Sequence, residues 1–171
     1  TPHDAWDFDG INEGVLTDLT IGGSKIPALL HADRNGFFYV LNRDTGKVVA
    51  ADPFVTVNWA THVDLVTGRP VEAPNNEKRP QLGKWARNVC PNLIGGKNWS
   101  PMSYSMQTGL VYLPAFNMCM DIANREEEYT PGKFYLASEF NLGMPGATGD
   151  NLAEFIAWDP VAKKKVWSIP E

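Results

Sequence analysis

The chain has few of the residues on which many functions are built. It contains three histidines and two cysteines in 171 residues. His3, His31 and His62 stand apart from one another and compose neither a catalytic triad nor a zinc site. Cys90 and Cys119 fit neither a zinc quartet nor a Cys-x-x-Cys redox pair. By count alone they are either two buried thiols or one disulfide, and a disulfide would imply an oxidising compartment such as a periplasm. No apolar run reaches the about 18 residues of a membrane-spanning helix, so no membrane span is expected. Lys and Arg (15) are outnumbered by Asp and Glu (20), for a net charge of −5. The only basic cluster, Lys163 to Lys165, is too short for a nucleic-acid footprint, so nucleic acid is not an expected partner. The first residues, "TPHDAWDFDG", lack the basic and apolar regions of a signal peptide. With no initiator Met, they read as the inside of a longer chain.

What the sequence does have is turn residues and aromatics: 15 Gly, 13 Pro and six Trp. Between the turns lie short β-branched or aromatic runs, the pattern of many strands and little helix. Predicted strands are 37–43, 48–52, 57–65, 109–116, 133–140, 154–160 and 164–170. A Thr-Gly turn between two strands recurs in "LNRDTGKVV", "VDLVTGRPV" and "YSMQTGLVY". A fourth copy, "AWDPVAKKKVW", has Ala162-Lys163 where Thr-Gly would stand. Glycine suits such a turn because it carries no Cβ to penalise a positive φ. Repeated strand-turn-strand units with tryptophan at one end favour a β-propeller over a single β-sandwich. At ~40–50 residues per blade, the chain supplies about three to four blades' worth and reads as a segment of a larger all-β propeller. Residues 1–171 are expected to form part of one propeller domain, with insertions near 72–83 and 120–151.

Few side chains are candidates for chemistry. In an extended segment, Asp7 and Asp9 would project to the same side, a few ångströms apart. Two carboxylates that close repel unless a cation or a shared proton compensates. Hard oxygen ligands suit Ca²⁺ or a larger, more highly charged ion. An EF-hand is excluded, because a loop starting at Asp7 would put Ile11 at position 5 and Asn12 at the glycine position. The alternative is that the aspartates cap turns or are simply solvated. Arg34 precedes an Asn35-Gly36 turn that feeds a strongly apolar strand. It is either a surface arginine or a fixed guanidinium for a planar anion or quinone oxygens. Asn98 follows Gly95-Gly96, where backbone can approach another group closely; it is either a turn residue or a ligand contact.

Taken together, "PHDAWDFDGINE", "HADRNGFFYVLNRDTGKV", "VDLVTGRPV", "NVCPNLIGG", "YSMQTGLVYLP", "NMCMD" and "AWDPVAKKKVW", in this order, resemble the quinoprotein alcohol dehydrogenases. The resemblance covers nearly the whole chain. It implies an eight-bladed propeller that holds pyrroloquinoline quinone and a metal ion on its axis. It further implies a primary alcohol as substrate, methanol first, and a c-type cytochrome as electron acceptor. The full-length protein would be a periplasmic homodimer. Asp7 maps to the proposed catalytic base, which also touches the metal. Asp9 maps to the second aspartate that marks the lanthanide-dependent methanol dehydrogenases, where calcium enzymes carry alanine. Arg34 and Asn98 map to cofactor contacts, and Cys90 and Cys119 to a disulfide. "GGKNW" is closer to the ethanol dehydrogenases, so a calcium-dependent ethanol dehydrogenase is the alternative within the family. Further metal ligands and the quinone-stacking tryptophan have no counterpart in this sequence, which implies that the isolated segment is inactive. Outside the family, the alternative is a non-catalytic propeller scaffold that binds protein partners. The two readings differ in whether Asp7, Asp9 and Arg34 converge.

Overall fold

The computed structural model describes residues 1–145 and 151–171. Its first four strands, β1 (Val15–Ile21), β2 (Ser24–Ala32), β3 (Phe37–Asn42) and β4 (Val48–Pro53), form one antiparallel meander in the order β1-β2-β3-β4. A hairpin of β5 (Ala60–Asp64) and β6 (Arg69–Glu72) follows, then β7 (Ala86–Val89). A second four-stranded sheet, ordered β13-β12-β9-β8, is built from β8 (Ser103–Ser105), β9 (Leu110–Phe116), β12 (Ala153–Asp159) and β13 (Lys164–Pro170). Between β9 and β12 the chain makes an excursion through β10 (Met118–Asn124) and β11 (Ser138–Pro145), which pair with β7 in the order β11-β10-β7. Helix is confined to a 3-10 turn at Pro74–Asn76 among the described residues, and no helix there is long and apolar enough to cross a membrane.

The first sheet is covered on both faces, as a propeller blade must be. Alternation along β3 divides its side chains between two cores. Phe38 and Val40 enter a core shared with Val111, Leu113, Ile156 and Trp158 of the second sheet. The Phe38 and Trp158 rings lie 5.7 Å apart between centroids. On the opposite face, Phe37 joins Trp6, Phe8, Trp59, Met120 and Ile122 in a second core. That second core fixes the path of the N-terminal residues, which form no strand of their own.

The sequence repeat is visible as four copies of one turn. Asn42, Asp64, Ser105 and Asp159 each accept, on the main-chain oxygen, the amide of the residue four positions on, at 2.8, 2.7, 2.8 and 2.8 Å. The donors Gly46, Gly68 and Gly109 have φ of 71°, 71° and 70°, and the donor in the fourth copy, Lys163, has φ of 58°. The turn is thus kept where its glycine is not. In the fourth copy the Asp159 carboxylate accepts the Val161 and Ala162 amides at 2.9 and 2.8 Å, so side-chain capping survives as well.

Two expectations shift. The run at 133–140 begins its strand only at Ser138, because pairing with β10 starts at the Asn124–Ser138 register. Ahead of it, Pro131 and Gly132 make a turn closed by the Lys133 amide on the Thr130 carbonyl. Strands β1, β2, β6, β7, β8 and β10 lie outside the predicted runs, since their sequences are short or mix polar residues and proline into the apolar pattern. Of the stretch expected as an insertion at 120–151, residues 146–150 lie outside the described residues. Cys90 and Cys119 form the disulfide, fully buried, between the end of β7 and β10.

Replacing Gly109 by Ala is expected to cost about 1–2 kcal/mol, the price of a side chain in the left-handed region. No atom lies within 4 Å of the added methyl group, so the effect is conformational. Lys163→Gly in the same turn should change stability by less than about 1 kcal/mol, because relieved strain and the flexibility of glycine oppose each other. Thermal melting of the two variants against the parent checks both. Cross-linking across a sequence separation of 29 should contribute roughly 3–4 kcal/mol by restricting the unfolded chain, measurable as the loss in denaturant midpoint for a Cys90→Ser/Cys119→Ser double variant.

Candidate functional site

Asp4, Trp6 and Phe8 set the shape of the N-terminal strap. Trp6 and Phe8 are buried against Trp59, with ring centroids 4.8 and 5.3 Å from it. The indole N–H of Trp6 donates to the Lys78 carbonyl at 2.6 Å. Asp4 is a turn former: its carboxylate accepts the Trp6 amide at 2.9 Å and the Phe8 amide at 2.6 Å. Between them Asp7 takes a left-handed backbone, φ 67°, a conformation that aspartate tolerates better than most residues. The strap is therefore not the extended segment assumed from sequence. The inward Trp6 and Phe8 nonetheless leave Asp7 and Asp9 facing out.

The two aspartates line one cleft, and the charge on Asp7 is only partly balanced. Burial pushes Asp7 above its ordinary carboxylate value, and the Arg34 guanidinium pulls it down. The neighbouring Asp9 and Asp4 push it up again, and the net direction is upward. Arg34 Nη2 lies 3.4 Å from Asp7 Oδ2.

Arg34 sits in the β2–β3 turn, which closes through the Gly36 amide on the Asp33 carbonyl. Its guanidinium donates from Nη1 to the Asp9 carbonyl and from Nη2 to the Leu93 carbonyl. Two glycines make room for it. A Cβ on Gly10 would lie 2.6 Å from Arg34 Cδ, and one on Gly95 would lie 2.7 Å from Arg34 Cα. The group that approaches the Gly95-Gly96 backbone is thus Arg34 itself, and the Gly96 amide donates to its carbonyl at 2.9 Å.

The glycine loop is joined to the strap a second time. Lys97 is fully buried, and its Nζ donates to Glu13 Oε2 at 2.9 Å and to the Asn98 carbonyl at 3.0 Å. The other carboxylate oxygen of Glu13 accepts the Met102 amide at 2.6 Å. Burial raises the Glu13 carboxyl, but the bonds from Lys97 and Met102 outweigh it and hold the group below its ordinary value. Asn12 Nδ2 donates to the Ala32 carbonyl at 2.8 Å.

Asp7 and Asp9 open on a cleft of about 490 Å³, backed by Trp6, Leu93, Ile122 and Phe140. Arg34 stands beside them. Asn98 does not line this cleft: its Nδ2 donates to the Ile94 carbonyl at 2.9 Å and its Oδ1 accepts the Trp99 amide at 2.8 Å, both within its own loop. From sequence Asp4 reads as a turn or surface residue, and it is a turn former here; Glu13 and Lys97 are not singled out by the sequence. The one signal for Lys97 is its place directly after two glycines.

These residues fit a bound cation and a polar cofactor in part. Among the described residues no group of three or more His, Cys, Asp or Glu could hold a metal ion. Asp7 and Asp9 supply two carboxylates, a fraction of the six to eight oxygens that a large hard cation takes. The raised Asp7 carboxyl is what an adjacent cation would relieve. Two buried polar atoms near Gly10, Arg34 Nε and Asn12 Oδ1, have no partner in the protein. An unpaired donor and acceptor at one place suit a polar ligand.

Known proteins resemble this chain along its whole length. A family model described as "Glucose/ethanol/alcohol dehydrogenase, beta-propeller domain" matches residues 1–54. The chain is 47% identical over 173 residues to a lanthanide-dependent methanol dehydrogenase of Methylacidiphilum fumariolicum (strain SolV), covering 100% of this chain and 28% of that protein. It is also 47% identical over 178 residues to a quinoprotein ethanol dehydrogenase of Pseudomonas aeruginosa, with coverage of 100% and 28%. The solved structure of a europium-containing methanol dehydrogenase superposes with a TM-score of 0.94 at 46% identity, covering 100% of this chain and 30% of that one. The chain thus spans less than a third of the length of these relatives. By fold, by the order of its motifs and by identity along its whole length, the chain belongs to the family of pyrroloquinoline quinone-dependent alcohol dehydrogenases.

Proposed function

We propose that residues 1–171 are part of a single propeller domain whose full-length protein oxidises a primary alcohol, methanol first, to the aldehyde. The observation that carries this reading is the convergence of Asp7, Asp9 and Arg34, with Arg34 Nη2 3.4 Å from Asp7 Oδ2 and Nη1 on the Asp9 carbonyl. A scaffold that merely binds partners has no need to gather two outward carboxylates against a guanidinium held between two glycines. When bound, pyrroloquinoline quinone accepts the two electrons of the oxidation, and a lanthanide or Ca²⁺ ion supplies Lewis acidity.

This chain's residues bind, orient and move a proton. Asp7 accepts the alcohol hydroxyl proton on its carboxylate as general base. Its left-handed backbone, held by the Asp4 bonds on either side, keeps that carboxylate pointed out of the core. Asp9 adds a second negative ligand, which favours a trivalent ion over calcium. Arg34 offers its guanidinium to an anionic or quinoid oxygen, and its buried Nε has no partner in the protein. Asn98 is assigned a cofactor contact by its motif, and reaching one would mean exchanging a bond inside its own loop. Electrons leave to a c-type cytochrome, and the full-length protein is a homodimer in the periplasm, an oxidising compartment that suits the buried disulfide. A calcium-dependent ethanol dehydrogenase is the second reading, favoured by 47% identity to a quinoprotein ethanol dehydrogenase.

Dye reduction by the full-length protein, loaded with quinone and either La³⁺ or Ca²⁺, tests the reading with methanol and ethanol as substrates. Asp7→Asn should lower turnover by about 10²–10⁴-fold, the usual contribution of a general base. Asp9→Ala should move the preference from La³⁺ toward Ca²⁺. Undiminished turnover in Asp7→Asn sinks the assignment, and the isolated 171-residue chain should be inactive with either ion.

The raised Asp7 carboxyl has a signed consequence for the metal-free protein. A carboxylate whose folded pKa lies above its ordinary 3.8 favours the fold below that value and opposes it as pH rises through the folded pKa. Asp7→Asn should therefore melt higher than the parent at pH 7, and the gap should close as pH falls toward 4. Melting curves across that range, without metal, decide it.

A further inference from the structure

Resting on the reading that Asp7 and Asp9 hold the metal, we propose that Lys97 is a positioning residue that anchors the metal-binding strap. The strap carrying the two carboxylates is fixed at both ends. At its start, Asp4 ties down the amides of Trp6 and Phe8. At its end, Glu13 is held by Lys97 Nζ at 2.9 Å and by the Met102 amide at 2.6 Å. Asn12, next to Glu13, donates to the Ala32 carbonyl and more weakly to the Lys97 carbonyl, at 2.8 and 3.4 Å. Asp7 and Asp9 are suspended between these anchors.

Lys97 is an expensive anchor. Its side chain is fully buried, and lysine is almost never buried completely unless its charge is paired. An apolar side chain of similar volume would fill the same space without desolvating an ammonium group. What an apolar residue cannot do is bridge two elements. The ammonium joins the strap, through Glu13, to the glycine loop, through the Asn98 carbonyl. That loop in turn receives Arg34 through the Leu93 carbonyl and Gly96. Lys97 thereby sets the spacing between the carboxylates on one element and Asn98 on the other, while touching neither carboxylate. Groups that orient metal ligands without binding metal typically govern affinity by 10–100-fold.

The test is La³⁺ binding by the full-length, metal-free protein, followed by calorimetry, with hydrogen exchange over residues 10–13 and 95–99 and melting temperature read in parallel. Lys97→Met is expected to bind La³⁺ about 10–100-fold more weakly and to exchange faster in both segments. Lys97→Met/Glu13→Gln, which removes both charges but leaves an acceptor for Met102, should regain melting temperature without regaining affinity. If the double variant recovers both, Lys97 acts only on stability and the proposal is wrong. Unchanged affinity in a folded Lys97→Met also overturns it. Should that variant not fold, Lys97→Arg retains the charge but not the two-bond geometry, and it should bind more weakly; equal binding again overturns the proposal. Failure of the parent itself to bind La³⁺ overturns the assignment of Asp7 and Asp9, and this proposal with it.

Discussion

Arg34 is the side chain on which the geometry of the site depends. A guanidinium has five donors in a rigid plane and no means of losing its charge, so it imposes directions on whatever surrounds it. Here it takes a carbonyl from the strap and a carbonyl from the glycine loop, and faces the Asp7 carboxylate. The guanidinium can reach both carbonyls only because Gly10 and Gly95 present no Cβ against the arginine stem and backbone. The arginine, two glycines and two aspartates are one arrangement, and none of them has the same meaning alone.

The wider fold supplies the rigidity that Arg34 requires. Its turn is the end of a hairpin whose β3 is packed on both faces, with Phe38 and Val40 on one side and Phe37 on the other. Asn35, beside it, is buried and bonds both the Phe37 amide and the Tyr39 hydroxyl. Burying an aromatic of this size contributes about 1.5–3 kcal/mol, so a shift of the turn would disturb two cores together. Loops carry the functional groups, and the blade interior keeps those loops from moving.

Much of this was legible in the sequence, and the rest was not for a consistent physical reason. Local chemistry read well: the Thr-Gly turns, the Asn35-Gly36 hairpin and the alternation of β9 all depend on neighbours within a few residues. Strand β10 did not, because "MCMDIAN" has no clean period of two and is specified instead by pairing with β7 and β11. In the candidate site, spacing and family motifs point to Asp7, Asp9 and Arg34, though the extended geometry assumed for "DFD" is a left-handed kink at Asp7. Lys97 and Glu13 lie 84 residues apart along the chain. Neither has a local pattern that reveals its partner, and only the folded chain brings them together.

The chemistry of the strap reflects a tension between folding and function. Asp7 sits where burial and two neighbouring acids oppose its ionisation, and Arg34 offsets only part of that cost. In a chain selected for stability alone, a neutral side chain would serve better. Retaining three aspartates within six residues, two of them directed outward by buried aromatics, makes sense if a cation completes the charge balance when the site is filled. The strain of the left-handed Asp7 then has the same origin: it is maintained because the turn must present a carboxylate, and the Asp4 bonds on either side are what keep it there.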